Sequence, residues 1–346
     1  MDPIVVAEGV SVPLTTVWAF LIAFAVFVYV VLDGFDLGLG ILFPLEPDRG
    51  DRDVMMTSVA PVWDGNETWL ILGGGGLLAA FPLAYAIILP ALYVPILLML
   101  LALVFRGVAF EFRWRTERWR PVWDVAFAGG SAVAGLAQGI ALGALLQGIS
   151  VDEPARAYGG GWWDWLTPFS LLVGLGVVTG YALLGATWLV MKTEGPLQDR
   201  MRARAWPLGL ATLGFIGLVS LWTPFLQEGY YNRWLSGFGL AAGAAVAALV
   251  LAIAVAMFRS LTVHRHEYRP FLLALLLFLT CFGGLGVAMW PYVIPREITI
   301  WEAAAPTSSQ TFMLVGASVL IPIILAYTAY AYWVFRGKVD PGAGYH

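Results

Sequence analysis

Asp33 and Asp36 stand three residues apart inside a long apolar run, in Leu32-Asp33-Gly34-Phe35-Asp36-Leu37-Gly38. Asp64 and Glu67 repeat that spacing in Ala60-Pro61-Val62-Trp63-Asp64-Gly65-Asn66-Glu67-Thr68-Trp69. On a helix, i and i+3 share a face. A carboxylate at the centre of a membrane-spanning helix costs about 2.5–3.5 kcal/mol on insertion scales, so four facing lipid would cost on the order of 10 kcal/mol. They must therefore face protein, water or a cation, or hold a proton. Carboxylates that cluster and exchange protons are what a proton-conducting path requires, and Asp33, Asp36, Asp64 and Glu67 are the candidates for one.

A plainer reading stands beside this. Pro61 and the Asp64-Gly65-Asn66 run can interrupt a helix, with Asp64 or Asn66 capping the half that follows. The acids can also pair with arginines of a partner subunit. Gly34 and Gly38 form a GxxxG pair that lets a neighbouring backbone approach closely. Gly73 to Gly76, in an apolar helix with no lysine after them, read as a packing surface rather than a phosphate loop. Glu111 and Asp124 flank an arginine-rich loop and read as interfacial ion-pair partners.

The elements that position these acids follow from composition. Of 346 residues, 60% are hydrophobic and 12% charged, with a mean hydropathy of +0.79. A soluble fold of this size could not cover its surface with so few charges. The chain reads as an all-α polytopic membrane protein forming one integral membrane domain over 1–346. A bilayer core of about 30 Å takes about 20 apolar residues per crossing. Nine such runs are predicted, at 15–43, 54–79, 83–106, 120–148, 165–191, 205–226, 236–258, 270–292 and 310–335. With the N-terminus outside, sixteen of the nineteen lysines and arginines fall in or beside the inner segments, and only Arg156, Arg233 and Arg296 fall outside. That asymmetry places the N-terminus outside and the C-terminus in the cytoplasm. The first fifteen residues carry Asp2 and Glu8 and no basic residue, unlike a cleavable signal peptide.

The net charge of −4, without basic tracts beyond short loops, argues against nucleic-acid binding. One cysteine, Cys281, allows no intramolecular disulfide and no multi-thiolate metal site. Of three histidines, His264 and His266 lie in a polar stretch and His346 at the end of the chain. A membrane-embedded haem normally takes histidine from within a helix. If electrons are transferred, another chain is expected to hold the metals, and no catalytic centre is expected in this one. A secondary transporter is the competing class, with 61–66 as its interrupted helix. Transporters built from repeats should carry a matching acidic break in the other half, and the runs after residue 165 show none.

The strings themselves resemble subunit II of the cytochrome bd-type quinol oxidases. The likeness runs through Asp33–Gly38 and Ala60–Ile71, then Phe105-Arg106-Gly107-Val108-Ala109-Phe110-Glu111-Phe112-Arg113, Leu145–Gly148 and Pro322–Tyr327, almost the whole chain. The short chain and sparse loops look more like the cyanide-insensitive branch. The resemblance implies nine helices arranged as two four-helix bundles plus one peripheral helix, in the cytoplasmic (inner) membrane of a prokaryote. It implies a haem-bearing subunit I as partner, carrying two b-type haems and one d-type (or b-type) haem together with the quinol-oxidising loop. The complex would oxidise quinol and reduce dioxygen to water with cytoplasmic protons. Small accessory subunits and a structural quinone within this subunit also occur in the family. Its proton-path aspartates match Asp33 or Asp36, together with Asp64, and Trp63 matches a position beside a lipid-side route for dioxygen.

Overall fold

Prolines divide two of the predicted membrane runs. In the computed structural model, which describes residues 3–7, 10–263 and 266–340, the run 54–79 takes in the end of a short polar helix and a separate apolar one, parted around Pro61. The run 83–106 is likewise two helices, parted after Pro90, and the second continues nine residues beyond Arg106. A proline removes an i→i−4 hydrogen bond and crowds the preceding turn, so a helix axis changes course there. Asp2, Glu8, His264, Arg265 and His346 lie outside the described residues.

The helices are α1 (Leu14–Leu42), α2 (Arg49–Thr57), α3 (Trp63–Ala80), α4 (Pro82–Ala91), α5 (Tyr93–Arg115), α6 (Arg120–Gln147), α7 (Pro168–Lys192), α8 (Gly195–Trp222), α9 (Glu228–Leu235), α10 (Phe238–Thr262), α11 (Arg269–Met289) and α12 (Thr307–Val334). Among the described residues eight helices are long and apolar enough to cross a membrane. The run predicted at 54–79 is not one of the eight: Asp64, Asn66 and Glu67 sit in the first turns of α3 and lower its hydropathy. Helix α8 starts ten residues before the predicted 205 because its first turns are polar, with Gln198 and Arg202 buried against neighbours.

Three two-stranded antiparallel hairpins lie between or before helices: β1 (Pro3–Ala7) with β2 (Val10–Pro13), β3 (Val151–Asp152) with β4 (Ala157–Tyr158), and β5 (Tyr292–Ile294) with β6 (Ile298–Thr299). All three fall in segments that the charge pattern assigns to the outer side. There the second and third share a small apolar core with Trp18 and α4. The larger core surrounds Phe35, Leu39, Phe110, Phe127, Trp188 and Phe271, toward the arginine-rich end. Helix α1 runs through both, packed on α3, α6 and α7, while α12 lies against α1 and α3 with most of its length exposed.

The GxxxG pair sets the closest helix approach. A Cβ built on Gly38 would stand 1.8 Å from the Tyr181 carbonyl oxygen, and one on Gly185 2.5 Å from the Gly38 carbonyl carbon. Backbone cannot rotate away as a flexible side chain can, so Gly38→Ala must push α1 and α7 apart. Overpacking costs about 1–3 kcal/mol and occasionally more, and this contact belongs at the upper end. The assembled protein should melt at lower temperature with Gly38→Ala, whereas Gly214→Ala, where a Cβ meets nothing within 4 Å, should not change it. Equal melting of the two variants would show that the α1–α7 contact does not set stability. The glycine run behaves differently from a uniform packing surface. Gly73 and Gly76 face Val26 and Ile22 of α1, but Gly74 and Gly75 face open space.

Candidate functional site

Asp33 and Asp36 come from the second half of α1, and both are fully buried. Arg106, projecting from α5, is fully buried beside them. Its Nη1 lies 3.2 Å from Asp33 Oδ1 and its Nη2 3.9 Å from Asp36 Oδ2. The same Nη1 donates a hydrogen bond to Glu67 Oε1, from α3, whose side chain is one quarter exposed. Three carboxylates thus share one guanidinium. Removing charges from water costs several kcal/mol per ion, which close opposite charges offset only in part. Neutrality of the cluster requires protons or a second cation, so these acids are placed where proton occupancy can change.

Two polar arms extend from the cluster. Asn66 Nδ2 donates to Asp36 Oδ2 at 2.7 Å, and Tyr332 of α12 donates its hydroxyl to Asn66 Oδ1 at 2.9 Å. On the other side Tyr29 borders Asp33. Its oxygen accepts from Gln138 Nε2 at 2.8 Å, and Tyr181 donates to Gln138 Oε1 at 2.6 Å. Because the Tyr29 oxygen is the acceptor there, its own proton is free for Asp33. Among the described residues Asp36 Oδ1 has no hydrogen-bond partner, and the Asp33 oxygens meet only Arg106 and the Tyr29 hydroxyl. The carboxyl groups therefore keep hydrogen-bonding capacity, unlike those of a saturated structural pair.

Asp33, Asp36 and Glu67 are brought together as one site. Asp64 makes no ion pair with Arg106: it sits exposed in the first turn of α3. The N-cap of α3 is Val62 and carries no side-chain cap, so neither Asp64 nor Asn66 serves there. Trp63 is half-buried, stacked on Phe110 with centroids 5.1 Å apart, and the Arg106 guanidinium lies 5.9 Å from its ring. The partners missed from sequence are Arg106, Asn66, Tyr332, Tyr29 and Gln138. The one available signal was the helix-forming character of residues 107–115, which puts Arg106 well inside α5 rather than at its end.

A second ionic layer closes the arginine-rich end. Arg113, fully buried, pairs with Asp53 at 2.7 Å and with Asp124 at 2.5 Å, and Asp124 also takes Arg52 at 3.0 Å. Asp124 is thus an interfacial ion-pair partner, as its position beside the arginine-rich loop predicts. The buried Glu46 pairs with Arg200 at 3.0 Å and with Arg204. Nearby, burial alone would raise the Glu267 carboxyl. Hydrogen bonds from Lys338 and Gln198 hold it below the usual carboxylate range instead. Among the described residues no group of three His, Cys, Asp or Glu side chains could hold a metal ion.

Comparison with known proteins places this geometry in context. The family model for cytochrome bd terminal oxidase subunit II matches residues 14–335. The cytochrome bd-I ubiquinol oxidase subunit 2 of Escherichia coli is 34% identical over 358 aligned positions, spanning 93% of this chain and 94% of that protein. The cytochrome bd ubiquinol oxidase subunit 2 of Bacillus subtilis is 28% identical, spanning 93% and 96%. Among solved structures, a chain of the bd oxidase from Geobacillus thermodenitrificans has the same fold. Its TM-score is 0.75 at 18% identity, covering 93% of this chain and 98% of that one.

Proposed function

Because the chain belongs to the cytochrome bd terminal oxidase subunit II family, we propose that it is the non-haem subunit of a quinol oxidase and carries part of the path that delivers cytoplasmic protons for water formation. The observation that carries the proton role is the buried cluster in which Asp33, Asp36 and Glu67 share Arg106. The transporter reading loses its footing with the family match.

As subunit II the chain partners with subunit I. Haem iron is held by axial side chains, most often histidine. The one described histidine, His266, lies in the polar turn before α11 rather than inside a membrane helix, which supports placing the haems in subunit I. The residues here would position helices and move protons toward that subunit. Nine crossings are counted by adding α3 to the eight apolar helices, giving an outer N-terminus and a cytoplasmic C-terminus. The first bundle is then α1, α3, α5 and α6, the second α7, α8, α10 and α11, and α12 the peripheral helix. Trp63 is kept beside a dioxygen route, and a structural quinone remains a proposed component.

Subunit I is proposed to dock on α3. Asp64, Thr68, Ile71, Gly75 and Leu78 are all exposed and recur at alternating spacings of four and three, one stripe along the helix. A carboxylate on that stripe is not stable against lipid, and Gly75 lets another backbone come close. The complex purified through a tag on this chain should bring a second membrane subunit and show haem bands in a reduced-minus-oxidised spectrum. Gly75→Phe, at a position where an added Cβ meets nothing within 4 Å, should leave the chain in the membrane but lose both. A colourless wild-type preparation, co-expressed with subunit I, would overturn the oxidase reading; full haem recovery in Gly75→Phe would move the docking face elsewhere.

A further inference from the structure

At the arginine-rich end a cleft of about 140 Å³ opens between the C-terminal ends of α7 and α12 and the break between α2 and α3. Val62, Trp188, Tyr332 and Phe335 give it apolar walls, and two cations, Lys192 and Arg336, line it. Among the described residues no carboxylate lines it. Lys192 is nearly buried, and its Nζ donates to the carbonyl oxygens of Phe335 and Gly337. The charge acting on it is another cation, Lys338. An ammonium has three donors, so one remains after those two carbonyls. Lys338 is committed to Glu267 and to the Thr193 carbonyl. The Arg336 guanidinium lies 4.7 Å from the Trp333 ring and gives one N–H to the Trp333 carbonyl at 2.7 Å, leaving further donors. Two cations in a half-buried cleft with no carboxylate among its described lining residues are unfavourable until an anion completes the site.

The geometry points to the phosphate headgroup of an anionic phospholipid as that anion. Basic pockets between membrane helices at the cytoplasmic boundary are suited to such headgroups. The aromatic walls match the glycerol region, and Leu325, exposed seven residues before Tyr332 and so on the same face of α12, gives the acyl chains an apolar track. A free phosphate would use the cations but not the walls. The cleft also touches the buried cluster, because Tyr332 is both a wall and the donor to Asn66, which holds Asp36. The site rests on the chain's membrane placement and not on the proton role of the acids.

The test uses the intact complex, stripped of lipid in detergent and titrated with dioleoyl phosphatidylglycerol, with dioleoyl phosphatidylcholine, or with inorganic phosphate, binding being read by native mass spectrometry. One phosphatidylglycerol per copy of this chain should be retained in preference to phosphatidylcholine. Arg336→Gln should weaken that retention about fivefold, the worth of one basic side chain near such a surface. Arg118→Gln, an exposed arginine outside the cleft, should leave it unchanged. Equal retention of the two lipids, or equal loss in Arg336→Gln and Arg118→Gln, would overturn the assignment. Displacement of phosphatidylglycerol by millimolar phosphate would make this a free-anion site and also overturn it. Should Arg336→Gln lose its haem spectrum, the wild-type preference between the two lipids decides alone.

Discussion

Arg106→Met is expected to deplete the membrane of assembled, haem-containing oxidase. The side chain is fully buried and is the cation shared by Asp33, Asp36 and Glu67. Removing one partner from a buried ion pair costs about 3–5 kcal/mol, because the remaining charge is left uncompensated. Here three acids lose their common partner, although protonation limits the damage. Arg106→Lys should recover only part of the loss, since a compact ammonium cannot reach three carboxylates as a planar guanidinium does. The decisive variant is Arg106→Met combined with Asp33→Asn and Asp36→Asn. Residues in one ionic network are non-additive, so the triple variant should assemble better than Arg106→Met alone. Haem per milligram of membrane protein and the melting temperature of the complex are the readouts. Wild-type values for Arg106→Met would mean that the cluster is held by groups other than its arginine.

The acids were legible in the sequence because a carboxylate in an apolar helix is conspicuous and its cost is known. Their shared cation was not. Arg106 ends the apolar run of its helix, and a hydropathy reading therefore assigns it to the inner loop with Arg113 and Arg115. The helix in fact continues to Arg115, with Arg106 and Arg113 turned inward onto acids from α1, α2, α3 and α6. Hydropathy cannot separate an arginine in a loop from one buried by ion pairing. The break at Pro61 was visible as a helix interruption, but the polar helix α2 before it and the split at Pro90 were absorbed into longer runs. Spacing misled in one respect: i and i+3 residues share a face only broadly, and Glu67 pairs with Arg106 while Asp64 does not. The close approach at Gly38 was readable, since two glycines one turn apart leave room for backbone. Tyr332 was beyond reach, because nothing local in α12 indicates that its hydroxyl meets Asn66, 266 residues away in sequence.

Asp64→Asn should lower quinol oxidase turnover while leaving haem content and melting temperature near wild type. The separation follows from where the residue sits. Asp33, Asp36 and Glu67 are bound into the Arg106 cluster, so neutralising any of them should change stability and turnover together. Asp64 is exposed on this chain and lies on the proposed docking stripe, but asparagine keeps its size and polarity there, so assembly should be largely retained. What asparagine removes is the capacity to take up and release a proton. Its position in the first turn of α3 favours an anion through the helix dipole by a few tenths to about 1 kcal/mol, a small structural contribution beside the proposed kinetic one. A positioned proton-transfer group contributes about 10²–10⁴-fold to a step that depends on it. With proton delivery only partly rate-limiting, turnover should still fall on the order of tenfold or more. Asp64→Glu, which restores an exchangeable proton on a longer arm, should regain a good part of the rate. Oxygen consumption per haem, measured for both variants beside Asp33→Asn, gives the comparison. A wild-type rate in Asp64→Asn, with Asp33→Asn slowed only in proportion to its lost haem, would make the acids structural and leave the family assignment standing.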